Sequence, residues 1–272
     1  MTAGTTLPFS DATVVEPLGD GRFAAELGPH WAVGPKAHGG LLLVLLAKAG
    51  LARIEGDVPG QAPDPLSIAA DFLRAPDPGT VELHTEVLKL GRTASVVSVR
   101  MSQGGRAMLA ATLTAGRLPA DEPQWADLPD MPAEPPADAT DPGAGETVLG
   151  LAASCDLRFD TPTIGFARGE QAPPVVRGWA RPLGEPPDVL FALLAGDILP
   201  PTVFNVGGRP GWAPTVQLTA LLRARPAPGW LRLESRSSTV AGPWFDEDAT
   251  VVDSAGRLVC QARQLALAPL GS

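Results

Sequence analysis

A carboxylate stands among leucines in the second half of the chain. Asp197 closes the run VLFALLAGD and follows Leu190, Leu193 and Leu194 by seven, four and three residues, so a helix would place it on their face. A carboxylate on an apolar face is costly unless it is paired or performs chemistry. Asp197 is therefore a candidate general base, and the plain alternative is a carboxylate that faces solvent near the helix end.

Two further polar residues fall in predicted strands. Thr215 opens the strand after this helix, and Gln264 lies in the last strand. A hydroxyl and an amide can orient a water molecule that a carboxylate deprotonates. Ordinary strand roles, with Thr215 packed in the sheet and Gln264 facing water, stay open for both residues.

Another candidate group opens the apolar run of the first half, which reads His38-Gly39-Gly40 followed by LLLVLLAKA. Two glycines at a helix N-terminus leave their N–H groups unobstructed, which suits a carbonyl oxygen that gains negative charge. We interpret His38 as a helix cap or a hydrogen-bonded surface histidine, with Gly39 and Gly40 as the functional part of this oxyanion or substrate-binding group.

Other catalytic signatures are absent from the sequence. It contains no GxSxG, no GxxxxGK[ST] and no GxGxxG before a helix, and its three histidines are scattered without HExxH. We therefore expect neither a metal nor a cofactor.

The chain repeats itself, and the repeat identifies the elements that must position these residues. FLRAPDPGTVEL matches LLRARPAPGWLRL at offsets of 149 to 150, and GGRAMLAATL matches AGRLVCQARQ at 151. A Pro-rich acidic stretch separates the copies and has the composition of a linker. We predict an N-terminal domain, a linker and a C-terminal domain over 1–118, 119–145 and 146–272.

Each copy has the same predicted order of short strands, one apolar helix and four further strands. The first strand is predicted near 12–16 and the helices near 39–54 and 187–199. An apolar helix followed by an antiparallel meander is buried when the sheet curls around it. We predict an α+β double hot dog: two tandem hot-dog domains, each an antiparallel sheet wrapped around one central helix, with the two sheets joined edge to edge.

Matched positions of the two copies differ where the candidate residues fall. At the positions that match Asp197, Thr215 and Gln264, copy one has apolar residues or a lysine. At the start of its helix, copy two has no glycine pair. The counterparts of Asp197, Thr215 and Gln264 are Lys48 or Ala49, Leu66 and Leu113, and the counterpart of the glycine pair is Pro187-Asp188-Val189. This asymmetry predicts one composite site between the copies.

Composition excludes several classes of partner. The 272 residues carry a net charge of −9, which argues against nucleic acid and anionic membranes as partners. The longest apolar run spans seven residues, 41–47, where about 20 would be needed to cross a bilayer. Cys155 and Cys260 lie far apart, and the N-terminal residues lack a signal-peptide pattern. We expect two free thiols and a cytoplasmic protein.

The sequence resembles the TesB-type (thioesterase II) acyl-CoA thioesterases, which have a double hot-dog fold. The resemblance is carried by HGGLLLVLLAKA, by SIAADFLRAPDPGTVELHTEVLKLGRTASVVSVRMSQGGRAMLAATLTAG, by AGDILPP and by GRLVCQARQ. It implies an acyl-CoA substrate, hydrolysed by a water that Asp197, Thr215 and Gln264 activate. A homo-oligomer is also expected.

Two other functions are weighed against hydrolysis. Hot-dog folds also host enoyl-CoA hydratases, but these need an Asp and a His close together on one loop, and no such pair stands near either helix. An acyl-CoA-binding protein with little turnover stays open, because the strand after Thr215 and the Gln264-Leu265-Ala266 segment depart from the family pattern.

Overall fold

Three α-helices and fifteen strands form the described part of the chain. The computed structural model describes residues 8–61, 63–144, 150–207 and 210–269. The helices are α1 (Phe9–Ala12), α2 (Gly39–Asp57) and α3 (Val189–Ala195). The strands are β1 (Glu16–Gly19), β2 (Arg22–Leu27), β3 (Ala32–Val33), β4 (Lys36–Ala37), β5 (Asp64–Phe72), β6 (Gly79–Lys89), β7 (Ala94–Gln103), β8 (Arg106–Gly116), β9 (Cys155–Phe159), β10 (Val175–Pro182), β11 (Thr215–Leu222), β12 (Leu231–Arg236), β13 (Val240–Ala241), β14 (Trp244–Val252) and β15 (Leu258–Leu267).

One antiparallel sheet runs through both halves. Its order is β1-β2-β6-β7-β8-β5-β11-β15-β14-β12-β10-β9, with β13 attached to β14, so each half contributes the same succession of strands. The halves meet where β5 pairs with β11, and Ile68 lies opposite Ala220 while Ala70 lies opposite Leu218. This near-symmetric seam confirms the predicted edge-to-edge double hot dog.

The central helices fill the concave side of the sheet. Residues 41–47 of α2 are all buried, as their uniformly apolar sequence predicts. Helix α3, predicted near 187–199, is shorter than predicted. Asp188 caps it by accepting a 2.7 Å hydrogen bond from the Phe191 N–H, and Gly196 ends it.

The first predicted strand, near 12–16, is wrong. The short helix α1 ends at Ala12, residues 13–15 belong to no strand, and β1 starts only at Glu16. Phe9 of α1 explains the difference, because its buried ring packs edge-on against Trp31 and Phe191, with centroids 5.7 and 5.3 Å away.

The Pro-rich stretch between the halves lies against the C-terminal half. The Trp179 indole donates a 2.9 Å hydrogen bond to the Pro132 carbonyl, and Arg232 donates a 3.1 Å bond to the Met131 carbonyl. Thr140 forms an isolated bridge with Phe159. The predicted linker is therefore a surface-hugging crossover over its described part, and its last residue, 145, lies outside the described residues.

Both cysteines are free and buried, as predicted. Burial raises the pKa of Cys155 and of Cys260 to about 12. Neither thiol is ionised at neutral pH, so both behave as small apolar side chains.

Candidate active site

Asp197 lies just beyond α3, facing the start of α2. It follows the capping Gly196, and its N–H donates a 3.0 Å hydrogen bond to the Leu194 carbonyl, so it continues the helical direction in a turn. Its carboxylate accepts a hydrogen bond from the Gly40 N–H. Burial, and then the negative charge of Glu247, raise the pKa of Asp197 to about 7, and the Gly40 bond opposes this rise.

His38 joins the two halves beside this carboxylate. It is the N-cap of α2, where its Nδ1 accepts a 3.4 Å hydrogen bond from the Leu41 N–H. Its Nε2 lies 2.9 Å from the Asp197 carbonyl oxygen and, with Nδ1 accepting, carries the proton that it donates. Burial lowers the pKa of His38 to about 4. The imidazole is therefore neutral at pH 7. It caps α2 and links this helix to the backbone of Asp197.

The glycine pair lets α2 and α3 approach closely. A Cβ on Gly40 would lie 2.7 Å from the Leu194 carbonyl oxygen, and one on Gly39 would lie 2.6 Å from Asp197 Oδ2. A methyl group at Gly40 would therefore require the backbone of α3 to shift, whereas one at Gly39 would displace the Asp197 carboxylate. The pair thus sets the distance between the helix N-terminus and the carboxylate.

Thr215 and Gln264 are in direct contact. The Thr215 hydroxyl donates a 2.7 Å hydrogen bond to Gln264 Oε1, across the pairing of β11 and β15. The register shifts between Thr215 and Gln217, and this bulge turns Thr215 to the inner face of the sheet. The amide group of Gln264 in turn donates from Nε2 to Glu247, at 2.5 Å.

Glu247 is a member of the site that the sequence reasoning missed. It is 4% exposed, and its second carboxylate oxygen accepts a 2.6 Å hydrogen bond from the Thr202 N–H. Burial raises the pKa of Glu247 to about 7, and the hydrogen bonds from Thr202 and Gln264 oppose this rise. Two carboxylates with raised pKa values therefore stand side by side.

A signal for Glu247 was present in the alternation of its strand. In FDEDATV, Glu247 shares a face with Phe245, Ala249 and Val251, so a carboxylate is placed among core residues. Strand pairing gives the same result. Glu247 lies opposite Gln264, and the equivalent pair in the other copy is Val97 opposite Leu113, two apolar residues.

The register of the strands corrects the residue of copy one that was matched with Thr215. Thr215 lies opposite Ala266 before its bulge, and Pro65 lies opposite Ala115 before the equivalent bulge. Pro65, and not Leu66, is therefore the counterpart of Thr215. Copy one still offers no hydroxyl there.

A water-sized cavity lies among the two carboxylates and the Gln264 amide. Its volume is about 10 Å³, and Asp197, Glu247 and Gln264 all line it. This is close to the space that one water molecule needs, and three polar side chains are enough to hold it. Thr215 does not line this cavity and reaches it only through Gln264.

A wider cavity also borders Gln264. It has a volume of about 500 Å³ and is lined by Gln264 together with Gln217, Thr239, Trp244 and Arg263. Trp244 is 44% exposed, so its ring offers an apolar surface at the entrance. Gln264 therefore lines both cavities.

The described part of the chain contains neither a membrane-spanning helix nor a group of metal ligands. None of its helices is both long and apolar enough to span a bilayer. No three of its His, Cys, Asp or Glu side chains are grouped so that they could hold a metal ion.

Family models match both halves of the chain. Residues 27–116 match the acyl-CoA thioesterase N-terminal domain, and residues 126–268 match the acyl-CoA thioesterase C-terminal domain. A relative from Mycobacterium tuberculosis, the uncharacterised protein Rv0499, is 44% identical over 268 residues, which cover 91% of each chain.

Solved structures show the same architecture. A candidate thioesterase II from Thermobifida fusca is 33% identical and superposes with a TM-score of 0.82, covering 98% of this chain and 99% of its own. A hot-dog protein of unknown function from Alicyclobacillus acidocaldarius is 21% identical, with a TM-score of 0.81 and coverage of 97% and 98%. The second likeness supports the fold alone.

Proposed function

Because this chain belongs to the acyl-CoA thioesterase family, we propose that it hydrolyses an acyl-CoA thioester to a carboxylic acid and CoA. The observation that carries the proposal is the carboxylate of Asp197, whose pKa is raised to about 7, beside a water-sized cavity. A base with such a pKa is matched to proton transfer near neutral pH.

In the proposed reaction, Asp197 takes a proton from the water in the small cavity. The water oxygen bonds to the thioester carbonyl carbon, and the carbonyl π electrons move to the carbonyl oxygen. Collapse of this tetrahedral intermediate breaks the carbon–sulfur bond, and Asp197 returns the proton to the leaving CoA sulfur. Gln264 holds the water, with its amide oriented by Thr215 and Glu247.

The N–H groups at the start of α2 are proposed to stabilise the oxyanion. The Gly40 N–H is bonded to the Asp197 carboxylate in the resting state. When Asp197 takes up the proton it becomes a weaker acceptor, so the Gly40 N–H is released as the oxyanion forms. Gly39, the first residue of the helix, offers the second N–H, and donors of this kind are worth about 3 kcal/mol each.

The acyl-CoA is proposed to enter through the wider cavity. It borders Gln264, which also lines the small cavity, so the thioester carbonyl of a ligand held there is proposed to reach past the amide to the water beside Asp197. The exposed Trp244 ring at its rim offers apolar contact for the ligand.

The decisive experiment measures thiol release from a panel of acyl-CoAs. Hydrolysis is expected with at least one chain length, and Gln264→Ala and Thr215→Ala are each expected to lower turnover. Saturable acyl-CoA binding without thiol release would instead identify a binding protein. The homo-oligomer and the cytoplasmic location stay predictions.

A further inference from the structure

A third cavity lies at the other end of the N-terminal half. Its volume is about 650 Å³, within the range of small-molecule sites. The strand order brings five segments to this edge: the start of β5, the ends of β8 and β11, and the turns after β6 and β14. Both halves therefore contribute to its wall.

Four arginines from four of these segments line the cavity. They are Arg92, Arg117, Arg225 and Arg257, and among the described lining residues Asp64 is the one carboxylate. In a chain of net charge −9 this is a marked local excess of positive charge. Such a concave cationic surface concentrates anions.

Two of the arginines are held in place by buried carboxylates. Arg225 pairs with Asp64 at 2.5 Å, and Asp64 also accepts a hydrogen bond from the Leu118 N–H at 3.2 Å. Arg257 pairs at 2.9 Å with Asp253, which is fully buried, and donates to the Arg225 carbonyl at 3.0 Å. The wall is thus built before any ligand arrives.

The other two arginines are available to a ligand. Arg92 and Arg117 are exposed, and within the described residues neither has a carboxylate partner. The Ser95 hydroxyl lies beside them and accepts a 3.2 Å hydrogen bond from the Gly91 N–H, which leaves its proton to donate. Guanidinium forks and hydroxyls together are the donors that phosphate groups prefer.

The cavity is remote from Asp197. The helix α2 starts at the carboxylate, and its 19 residues span about 28 Å before the chain reaches Gln61 at the cavity. Along β5, the path from Phe72, beside Gly39, to Asp64 is about 26 Å. The residues between the two places, on α2 and β5, belong largely to the buried core.

We propose that this cavity binds an organic anion carrying two or more phosphate groups, at a site separate from the thioester site. Four cations spread over the wall suit several phosphates better than a single inorganic ion. The apolar floor formed by Pro63, Ala115 and Leu118 suits an organic body between them. Free nucleotides and the nucleotide end of a second CoA molecule share this chemistry.

The test compares two double variants of the whole protein by isothermal titration calorimetry. Arg92→Ser with Arg117→Ser removes the unpaired cations of the cavity. Arg100→Ser with Arg106→Ser removes two exposed arginines elsewhere in the same half, so the change of net charge is matched. The probes are adenosine 3′,5′-bisphosphate, ATP and pyrophosphate.

We expect an organic phosphate probe to bind the wild type, and the cavity variant to bind it at least tenfold more weakly, since each lost charged hydrogen bond is worth about a factor of ten. The control variant is expected to bind as the wild type does. Tighter binding of the bisphosphate would point to CoA as the source, and tighter binding of ATP to a free nucleotide. The KM for acyl-CoA hydrolysis should be unchanged in the cavity variant.

Three results would overturn the proposal. The first is no binding of any probe at millimolar concentration. The second is equal weakening in both double variants, which would mean attraction to overall charge. The third is a tenfold rise in the KM for acyl-CoA in the cavity variant alone, which would make the cavity part of the thioester site. Binding is measured without turnover, so these results do not depend on whether hydrolysis is found.

Discussion

At the scale of single residues, the proposed mechanism depends on the charge of Asp197. Asp197→Asn keeps the shape of the side chain, and its amide oxygen can still accept from the Gly40 N–H. We expect the fold to be retained and the turnover to fall about 100-fold or more, the usual scale for loss of a general base. Thiol release under saturating acyl-CoA measures the loss, and circular dichroism checks the fold. Wild-type turnover in this variant would remove Asp197 from the mechanism.

Glu247 tunes the pKa of its neighbour, and this predicts a shifted pH profile. Its negative charge helps to raise the pKa of Asp197, so Glu247→Gln should lower that pKa. The wild-type activity is expected to fall below pH about 7 as Asp197 is protonated, and in the variant this acid limb should move to lower pH. Profiles of kcat/KM against pH measure the shift. An unmoved limb, with only a lower plateau, would contradict the coupling.

The same carboxylate should cost stability at high pH. Glu247 has a pKa of about 7 in the folded protein and an ordinary value of 4.5, so the folded state binds more protons between these values. The free energy of unfolding therefore decreases as pH rises through this window. At pH 8 the free energy of unfolding of Glu247→Gln should exceed that of the wild type by about 1–3 kcal/mol, which raises its melting temperature, and the difference should shrink towards pH 4.5. Equal pH dependence of the two melting temperatures would show that Glu247 does not titrate in this window.

At the scale of elements, the contact between α2 and α3 makes Gly40 hard to replace. A methyl group there meets the Leu194 carbonyl at 2.7 Å, so Gly40→Ala should push the elements apart and destabilise by about 1–3 kcal/mol. Gly56 is a matched control on the same helix, because a Cβ added there would meet nothing within 4 Å. Gly56→Ala should stabilise by about 0.5–1 kcal/mol. Thermal unfolding compares the two, and equal effects would contradict the close contact.

Some helices and strands could be predicted from sequence patterns, and others could not. Long apolar or alternating runs, such as α2 and β15, are predictable because burial alone specifies them. The end of α3 is not, since Gly196 stops the helix one residue before Asp197 while the periodicity continues. Thr215 and Gln264 were predicted from the asymmetry of the copies. Glu247 was missed because it stands between two other acidic residues in FDED. The sequence does not distinguish the buried carboxylate from the other two until the pairing with Gln264 is known.

At the scale of the whole molecule, the seam between β5 and β11 is close to a two-fold axis. Ile68 lies opposite Ala220 and Leu218 lies opposite Ala70. Each strand therefore pairs with a neighbour whose residues at these positions resemble its own. A fragment of residues 1–118 would expose β5 as an unpaired edge. We expect it to pair with a second copy of itself and to have the mass of a dimer by light scattering after gel filtration. A stable monomer would contradict this expectation, because it would show that β5 remains folded as an unpaired edge.

The buried thiols have a practical consequence for every assay that detects released CoA with a thiol reagent. Cys155 and Cys260 are inert while the protein is folded, because both are buried and protonated. The protein itself should therefore add no colour to the native reaction, and two equivalents of thiol should appear per chain when denaturant is added. A slow drift of signal in a blank without substrate would then count unfolding molecules. The reaction and its blank would together report turnover and loss of the native state, separating an inactive variant from an unfolded one.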